Sequence, residues 1–85
     1  METKAKEYAD GAVIRIGEEI YQRELRATLD TPENKGRLVA LDIRSSEYEM
    51  GRDSAEAIFG MLARRPDAMI YLLRVGRPTT ISFGG

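Results

Sequence analysis

Three carboxylates and three guanidinium groups stand where a strand pair would gather them. Asp42, Glu47 and Glu49 flank one short turn. Glu47 and Glu49 alternate along an extended run and so share a strand face, and Asp42 can lie across the hairpin from them. Facing carboxylates can bind a hard cation, or split their pKa values for acid–base work. The plainer expectation, which we adopt, is the solvated outer face of an edge strand with Arg44 and Arg74 as partners, since a half-buried strand requires polar alternation. Arg44, Arg74 and Arg77, with Arg64 and Arg65, could also form a basic patch with Tyr71 for base stacking. Arg64 and Arg65 have a simpler role as cations at a helix C-terminus, and Tyr71 suits a core. Asp42, Arg44, Glu47, Glu49, Arg74 and Arg77 are therefore expected to form an interaction or ligand surface, with no catalytic group and no metal site.

Composition narrows the chemistry further. The chain has 85 residues, no cysteine and no histidine. That leaves no disulfide, no thiolate metal site, no cysteine nucleophile and no histidine base, and no cofactor is called for. Net charge is −1 from 13 basic and 14 acidic residues, so no global field draws the chain to nucleic acid or an anionic membrane. Ten of the 13 basic residues are arginine, a bias that suits ordinary surface composition as well as bidentate recognition of carboxylate or phosphate. Residues 1–10 are charged throughout, unlike a signal peptide. The longest apolar run, Ala68 to Leu73, is far short of the roughly 20 residues of a membrane helix. These features predict a cytoplasmic protein. At this length there is room for one core, and only about 60–65 % of the unfolded chain's surface can be buried.

The elements that position these groups follow from periodicity. Residues 1–12 show no period and are expected to be a flexible tail, with one α+β domain over 13–85. Val13, Ile14 and Ile16 suggest a short extended piece before Gly17. Tyr21, Leu25 and Leu29 recur every four residues and predict a first helix over 18–29, ended by Pro32 and Gly36. In Arg37–Arg44, Val39, Leu41 and Ile43 share one face and Leu38 and Ala40 the other, which suits an interior strand. Glu47–Met50 alternates strictly and completes a hairpin across Ser45-Ser46. Two serines fit the positive φ angles of a tight type I′ turn poorly, so a longer or bulged loop is expected. Asp53-Ser54-Ala55-Glu56 is a capping box, Ala55, Ile58, Phe59 and Leu62 recur at helical spacing, and Pro66 stops a second helix over about 53–65. Ala68–Val75 reads as a central strand and Thr79–Phe83 as an edge strand, joined by Gly76-Arg77-Pro78. The expected fold is therefore α+β in the order α-β-β-α-β-β. Its sheet is four-stranded and mostly antiparallel, and its helices pack on one face. A sheet covered on one face alone predicts a homodimer closing over the open face or an edge. Gly60, inside the second helix, is expected to admit a close neighbour such as another helix or chain.

Leu38-Val39-Ala40-Leu41-Asp42-Ile43, Ser46-Glu47-Tyr48-Glu49, Asp53 with Ala57, and Arg65-Pro66-Asp67-Ala68 running into Tyr71-Leu72-Leu73-Arg74-Val75-Gly76 resemble a group of short bacterial domains of unassigned function. The likeness spans Gly36 to Gly76, about half the chain. It implies the strand-hairpin-helix-strand order, a bacterial origin and a small accessory or interaction role, and it implies no activity. Members of that group often have Ser-Gly where this chain has Ser45-Ser46. A ββαββ-like order closing on Gly84-Gly85 also resembles ubiquitin-like sulfur carriers, which implies adenylation and thiolation of the last glycine. The leading helix and the strand-like residues running to Phe83 depart from that pattern.

The reading that results is a non-enzymatic protein-interaction module, homodimeric, with a protein partner, in a regulatory or antitoxin-like role. The alternatives are the sulfur carrier using Gly84 and Gly85, and a weak nucleic-acid-binding domain.

Overall fold

A computed structural model describes residues 11–83, with side chains described up to Gly76. The chain opens with helix α1 (Ala12–Ile20), runs without a break through a π turn (Tyr21–Leu25), and continues as the short helix α2 (Arg26–Leu29). A 3-10 turn (Pro32–Asn34) leads to strand β1 (Leu38–Asp42) and strand β2 (Tyr48–Gly51). Helix α3 (Ser54–Arg64) then precedes strands β3 (Ile70–Arg74) and β4 (Arg77–Phe83). The strands lie in the order β2-β1-β3-β4 and every pairing is antiparallel. β4 is described through its backbone alone.

The expected layering is corrected. The helices do not share one face of the sheet; each covers a different face. Val39, Leu41, Ile43, Tyr71, Leu73 and Val75 cluster with Ile20, Tyr21 and Leu29 of the leading helical segment. Leu38, Ala40, Ile70 and Leu72 cluster with Ala57 and Met61 of α3 on the opposite side. The physical reason is that β1 and β3 are apolar on both faces, so a single helical layer would leave half of their side chains in water. At about 25 cal/mol per Å² that is a large loss for a short chain. All five residues of β1 are buried.

The expected element order is corrected as well. What precedes the strands is not one helix over 18–29. Val13, Ile14 and Ile16, expected in an extended piece, are helical, and Ala12 is the first helical residue rather than the end of a tail. Residues 1–10, the rest of that expected tail, lie outside the described residues. The π turn has a packing explanation. At 3.6 residues per turn, two steps of four residues drift about 80° around a helix. A wider turn at Tyr21–Leu25 takes out part of that drift and lets Tyr21, Leu25 and Leu29 meet the same core.

Two helical glycines have opposite surroundings. A Cβ on Gly17 would lie 2.2 Å from Cγ of Tyr71, so the aromatic ring rests directly on the backbone of α1. The Tyr71 hydroxyl donates to Glu18 Oε1 at 2.5 Å from the same turn. A Cβ on Gly60 meets Glu49 at 3.4–3.6 Å, ordinary contact distance. The neighbour at Gly60 is therefore an edge-strand side chain of the same chain, not a second helix. Gly51, the last residue of β2, has Ala57 N only 2.6 Å from its Cβ position, which seats the strand against the first turn of α3.

These surroundings predict opposite signs. Gly17→Ala gains about 1 kcal/mol of helix propensity but overpacks a core ring, and a net loss of about 1–3 kcal/mol is expected. Gly60→Ala keeps the propensity gain and is expected to be neutral or stabilising by up to about 1 kcal/mol. Thermal melts of the two variants check this, at about 4–8 °C per kcal/mol for a domain of this size. A lower melting temperature for Gly60→Ala would contradict the assignment of its neighbour.

Candidate functional site

The end of the sheet where β1 turns into β2 collects most of the charged residues that the sequence marks out. Asp42 ends β1 and is 3 % exposed. Its carboxylate accepts from the Arg44 backbone N–H at 3.2 Å, from Ser45 Oγ at 2.8 Å and from the Met69 backbone N–H at 3.1 Å. A buried carboxylate needs such donors, because an unpaired one is strongly disfavoured in a core. The side chain pins the β1–β2 connection to the entry of β3, so Asp42 is a turn-builder. Ser45 Oγ accepts in turn from the Glu47 N–H at 3.2 Å. The connection is five residues long, Ile43 to Glu47, rather than the two serines alone. Ser46 sits at φ 66°, the left-handed region that glycine tolerates best.

Glu47 and Glu49 project toward α3. Glu49 pairs with Ala40 across the strands, and Ala40 belongs to the α3-side cluster. The expectation of a solvated outer face partnered by Arg44 and Arg74 is thus corrected. The partners are Arg64 and Arg65 at the end of α3. Arg64 donates Nη2 to Glu47 Oε1 at 2.5 Å and Nη1 to Glu49 Oε2, and Arg65 Nη2 reaches Glu47 Oε2 at 2.5 Å. Carboxylates beneath a helix C-terminus would be repelled by its negative dipole end, and the two guanidinium groups reverse that. The hydrogen bond from Arg65 above all, helped by both guanidinium charges, holds the Glu47 carboxyl below its ordinary value. Bonding to Glu49 raises Arg64 in return, and bonding to Glu47 raises Arg65.

Arg64 also covers one outward group of the sheet edge. Asp42 N–H donates to Glu47 O at 2.8 Å. Alternation along an antiparallel pair then turns the backbone groups of Tyr48 and Met50 away from β1. Arg64 Nη1 donates to the Tyr48 carbonyl at 3.1 Å. A charged side chain laid across an edge carbonyl obstructs the addition of another strand.

The remaining candidates do not converge on this cluster. Arg44 reaches Asp67 through its carbonyl at 3.3 Å and its carboxylate at 4.0 Å. Arg74 lies at the far end of β3 and donates to the Gly36 carbonyl at 3.0 Å. Arg77 is opposite Arg74 in the β3–β4 register, and its side chain is not among those described. Gly84 and Gly85 lie outside the described residues. Tyr71 is buried on the α1 side of the sheet, away from Arg64 and Arg65, so it offers no stacking platform beside them. Among the described residues no group of three Asp or Glu side chains is arranged to hold a metal ion. A surface depression of about 480 Å³ is lined by Gln22, Arg26, Ala27 and Asp30. Its polar groups already bond one another, Arg26 to Gln22 at 2.8 Å and to Asp30 at 3.5 Å.

The stripe that helical spacing marks on α3, Ala55, Ile58, Phe59 and Leu62, is corrected, because it is not the one that lies deepest against the sheet. Phe59, on α3, is 68 % exposed, while Ala57 and Met61 of the same helix are fully buried against the sheet. Ala55 and Ala63, one turn to either side of Phe59, are exposed, and Ile58 and Leu62 are half-buried beside it. The available signal was the uncharged run Ala57–Ala63, which is apolar around the whole helix instead of along one stripe. Among the described residues no helix is long and apolar enough to cross a membrane. Comparison with protein-family models, with curated proteins and with solved structures finds no match to this chain.

Two outcomes test this part of the molecule. Because Glu47 is lowered in the folded state, its contribution is present above the ordinary carboxylate range and is lost as pH falls through the folded value. Glu47→Gln is expected to be less stable than the natural chain at pH 7, with the difference shrinking at pH 3 and at high salt. Urea melts at both pH values measure this, and an equal difference at both would contradict it. Ser46→Gly is expected to raise stability by about 0.5–1 kcal/mol, since relief of a left-handed non-glycine residue (about 1–2 kcal/mol) exceeds the added entropy of the unfolded chain (about 0.4–1 kcal/mol). The same melts at pH 7 show it.

Proposed function

We propose that this chain is a small, cytoplasmic, non-enzymatic protein-interaction module, a homodimer that also serves another protein in a regulatory or antitoxin-like role. The observation that carries the reading is the apolar outer face of α3, centred on Phe59 at 68 % exposure. Large aromatic side chains set among small residues on an open surface are typical anchors of protein interfaces. The charged groups at the β1–β2 end support the reading from the other side. Asp42, Glu47, Glu49, Arg64 and Arg65 hold the connection and the helix end together through bonds to one another and to the backbone. A chain free of cysteine fits a reducing compartment.

Affinity capture of the tagged protein from its host, followed by the mass of the complex, tests the module. Phe59→Glu serves as control, because an exposed position is expected to change stability by no more than about 0.5 kcal/mol. The natural chain should return with a partner protein, and the variant should return with much less. Recovery of the natural chain alone and monomeric would sink the proposal.

A further inference from the structure

We infer that the end of the sheet opposite Asp42 binds an extended acidic peptide segment through Lys35, Arg37, Arg74 and Arg77. That a partner protein supplies the segment rests on the interaction-module reading above. Two short stretches of chain meet at this end. The Gly36 N–H donates to the Val75 carbonyl at 3.0 Å, and the Val75 N–H donates to the Arg37 carbonyl at 2.8 Å. Lys35-Gly36-Arg37 therefore lies against Arg74-Val75-Gly76-Arg77, which brings four cations together with no acidic residue in either stretch. The arrangement is built rather than loose. Arg74 is held by its bond to the Gly36 carbonyl at 3.0 Å. A Cβ on Gly76 would lie 3.3 Å from Cγ of Lys35, so the lysine stem rests on the β3–β4 turn.

Charge accounting sets this end apart from the rest of the surface. Arg44, Arg52, Arg64 and Arg65 each have a carboxylate of the same chain within 4.0 Å. Lys35, Arg37 and Arg74 have no carboxylate partner among the described residues. Arg77 stands directly opposite Arg74 in the β3–β4 register. Like charges so placed oppose the strand pairing that contains them, and a bound carboxylate relieves the repulsion. Guanidinium groups also match carboxylates in a two-pronged fashion. The shape of the ligand follows from alternation. Leu38 and Val39 face opposite sides of the sheet, so Arg37, before them, and Arg74, opposite Leu38, bracket the end of the sheet from its two sides. An extended chain with carboxylates at intervals reaches both sides, and a single compact anion does not. A nucleic acid suits the site less, because Tyr71 is buried away from it and the chain's net charge of −1 repels a long polyanion.

Hexaglutamate is the probe. It is titrated into the isotope-labelled natural chain, and the amide signals are followed by NMR at about 0.01 M and about 1 M salt, between which the screening length falls from about 30 Å to about 3 Å. Shifts are expected at Gly36, Arg37, Val75 and Gly76 at low salt and are lost at high salt. The variant carrying Lys35→Glu and Arg37→Glu, both exposed, should bind about tenfold more weakly and melt no lower than the natural chain. Absent shifts at low salt, shifts centred elsewhere, or a variant that binds as the natural chain does would overturn the site. Oligothymidylate of equal charge is the second probe, and tighter binding than hexaglutamate at the same amides would overturn the acidic-peptide assignment. Affinity capture separates the two readings. A natural chain that captures a partner but ignores hexaglutamate loses this site and keeps the module reading. One that answers hexaglutamate at these amides yet captures nothing keeps the site and loses the module reading.

Discussion

The two interior strands are apolar on both of their faces, and the rest of the fold answers to that. Val39, Leu41, Tyr71 and Leu73 face one way, and Leu38, Ala40, Ile70 and Leu72 the other, all at most 5 % exposed. A sheet of this kind needs a layer on each side, and an 85-residue chain has little more helix than two layers require. The leading helical segment takes one face and α3 the other. Neither can be removed without exposing a full set of strand side chains. The close seat of Tyr71 on Gly17 belongs to the same economy of space. By letting the ring touch the helix backbone, the missing Cβ brings α1 down onto β3.

With both faces covered, the charged residues are left the work of closing ends and edges. Asp42 stays buried because three donors converge on it, and through Met69 it ties two separate connections together. Glu47 and Glu49 sit beneath the last turn of α3, a position that would be unfavourable without Arg64 and Arg65. Individually such half-exposed pairs contribute little, but here two guanidinium groups share two carboxylates in one network. What looks in the sequence like an acidic cluster ready for a cation is a balanced set of charges holding a strand edge to a helix end.

Local signals were legible where local physics decides. The cap forms where its pattern implies, with Glu56 N–H donating to Asp53 Oδ1 at 2.9 Å, while the return bond falls one residue earlier than in a capping box, Glu56 Oε1 accepting from the Arg52 N–H in place of that of Asp53. The interior positions of β1 and β3 follow from their two-faced apolarity. The layering does not follow from helix period, which says nothing of the side of a sheet that a helix covers; on α3 the period also marks Ala55 and Phe59, which are exposed, where Ala57 and Met61 are the buried pair. The start of the leading helix is hidden by Val13, Ile14, Ile16 and Gly17, whose intrinsic preferences for a helix are weak; Gly17 seats on Tyr71, 54 positions along the chain, and Val13 and Ile16 pack on the same core. The facing of Glu47 and Glu49 was read from polarity alone. Polarity cannot distinguish water from two arginines that arrive from a helix 15–18 residues away.

Arg64 links these points to the surface that remains open. It ends α3, neutralises Glu47 and Glu49, and occupies the outward carbonyl of Tyr48. In doing so it obstructs strand addition at that point of the β2 edge, while the helix it terminates stays uncharged from Ala57 to Ala63. A helix needs only one apolar stripe to cover a sheet, and Ala57 and Met61 already provide it. Phe59 adds nothing to that layer, since it points away from it at 68 % exposure. In a chain whose core is small, an aromatic ring held in water stabilises nothing within the fold. That exposure is what the proposed interaction role rests on.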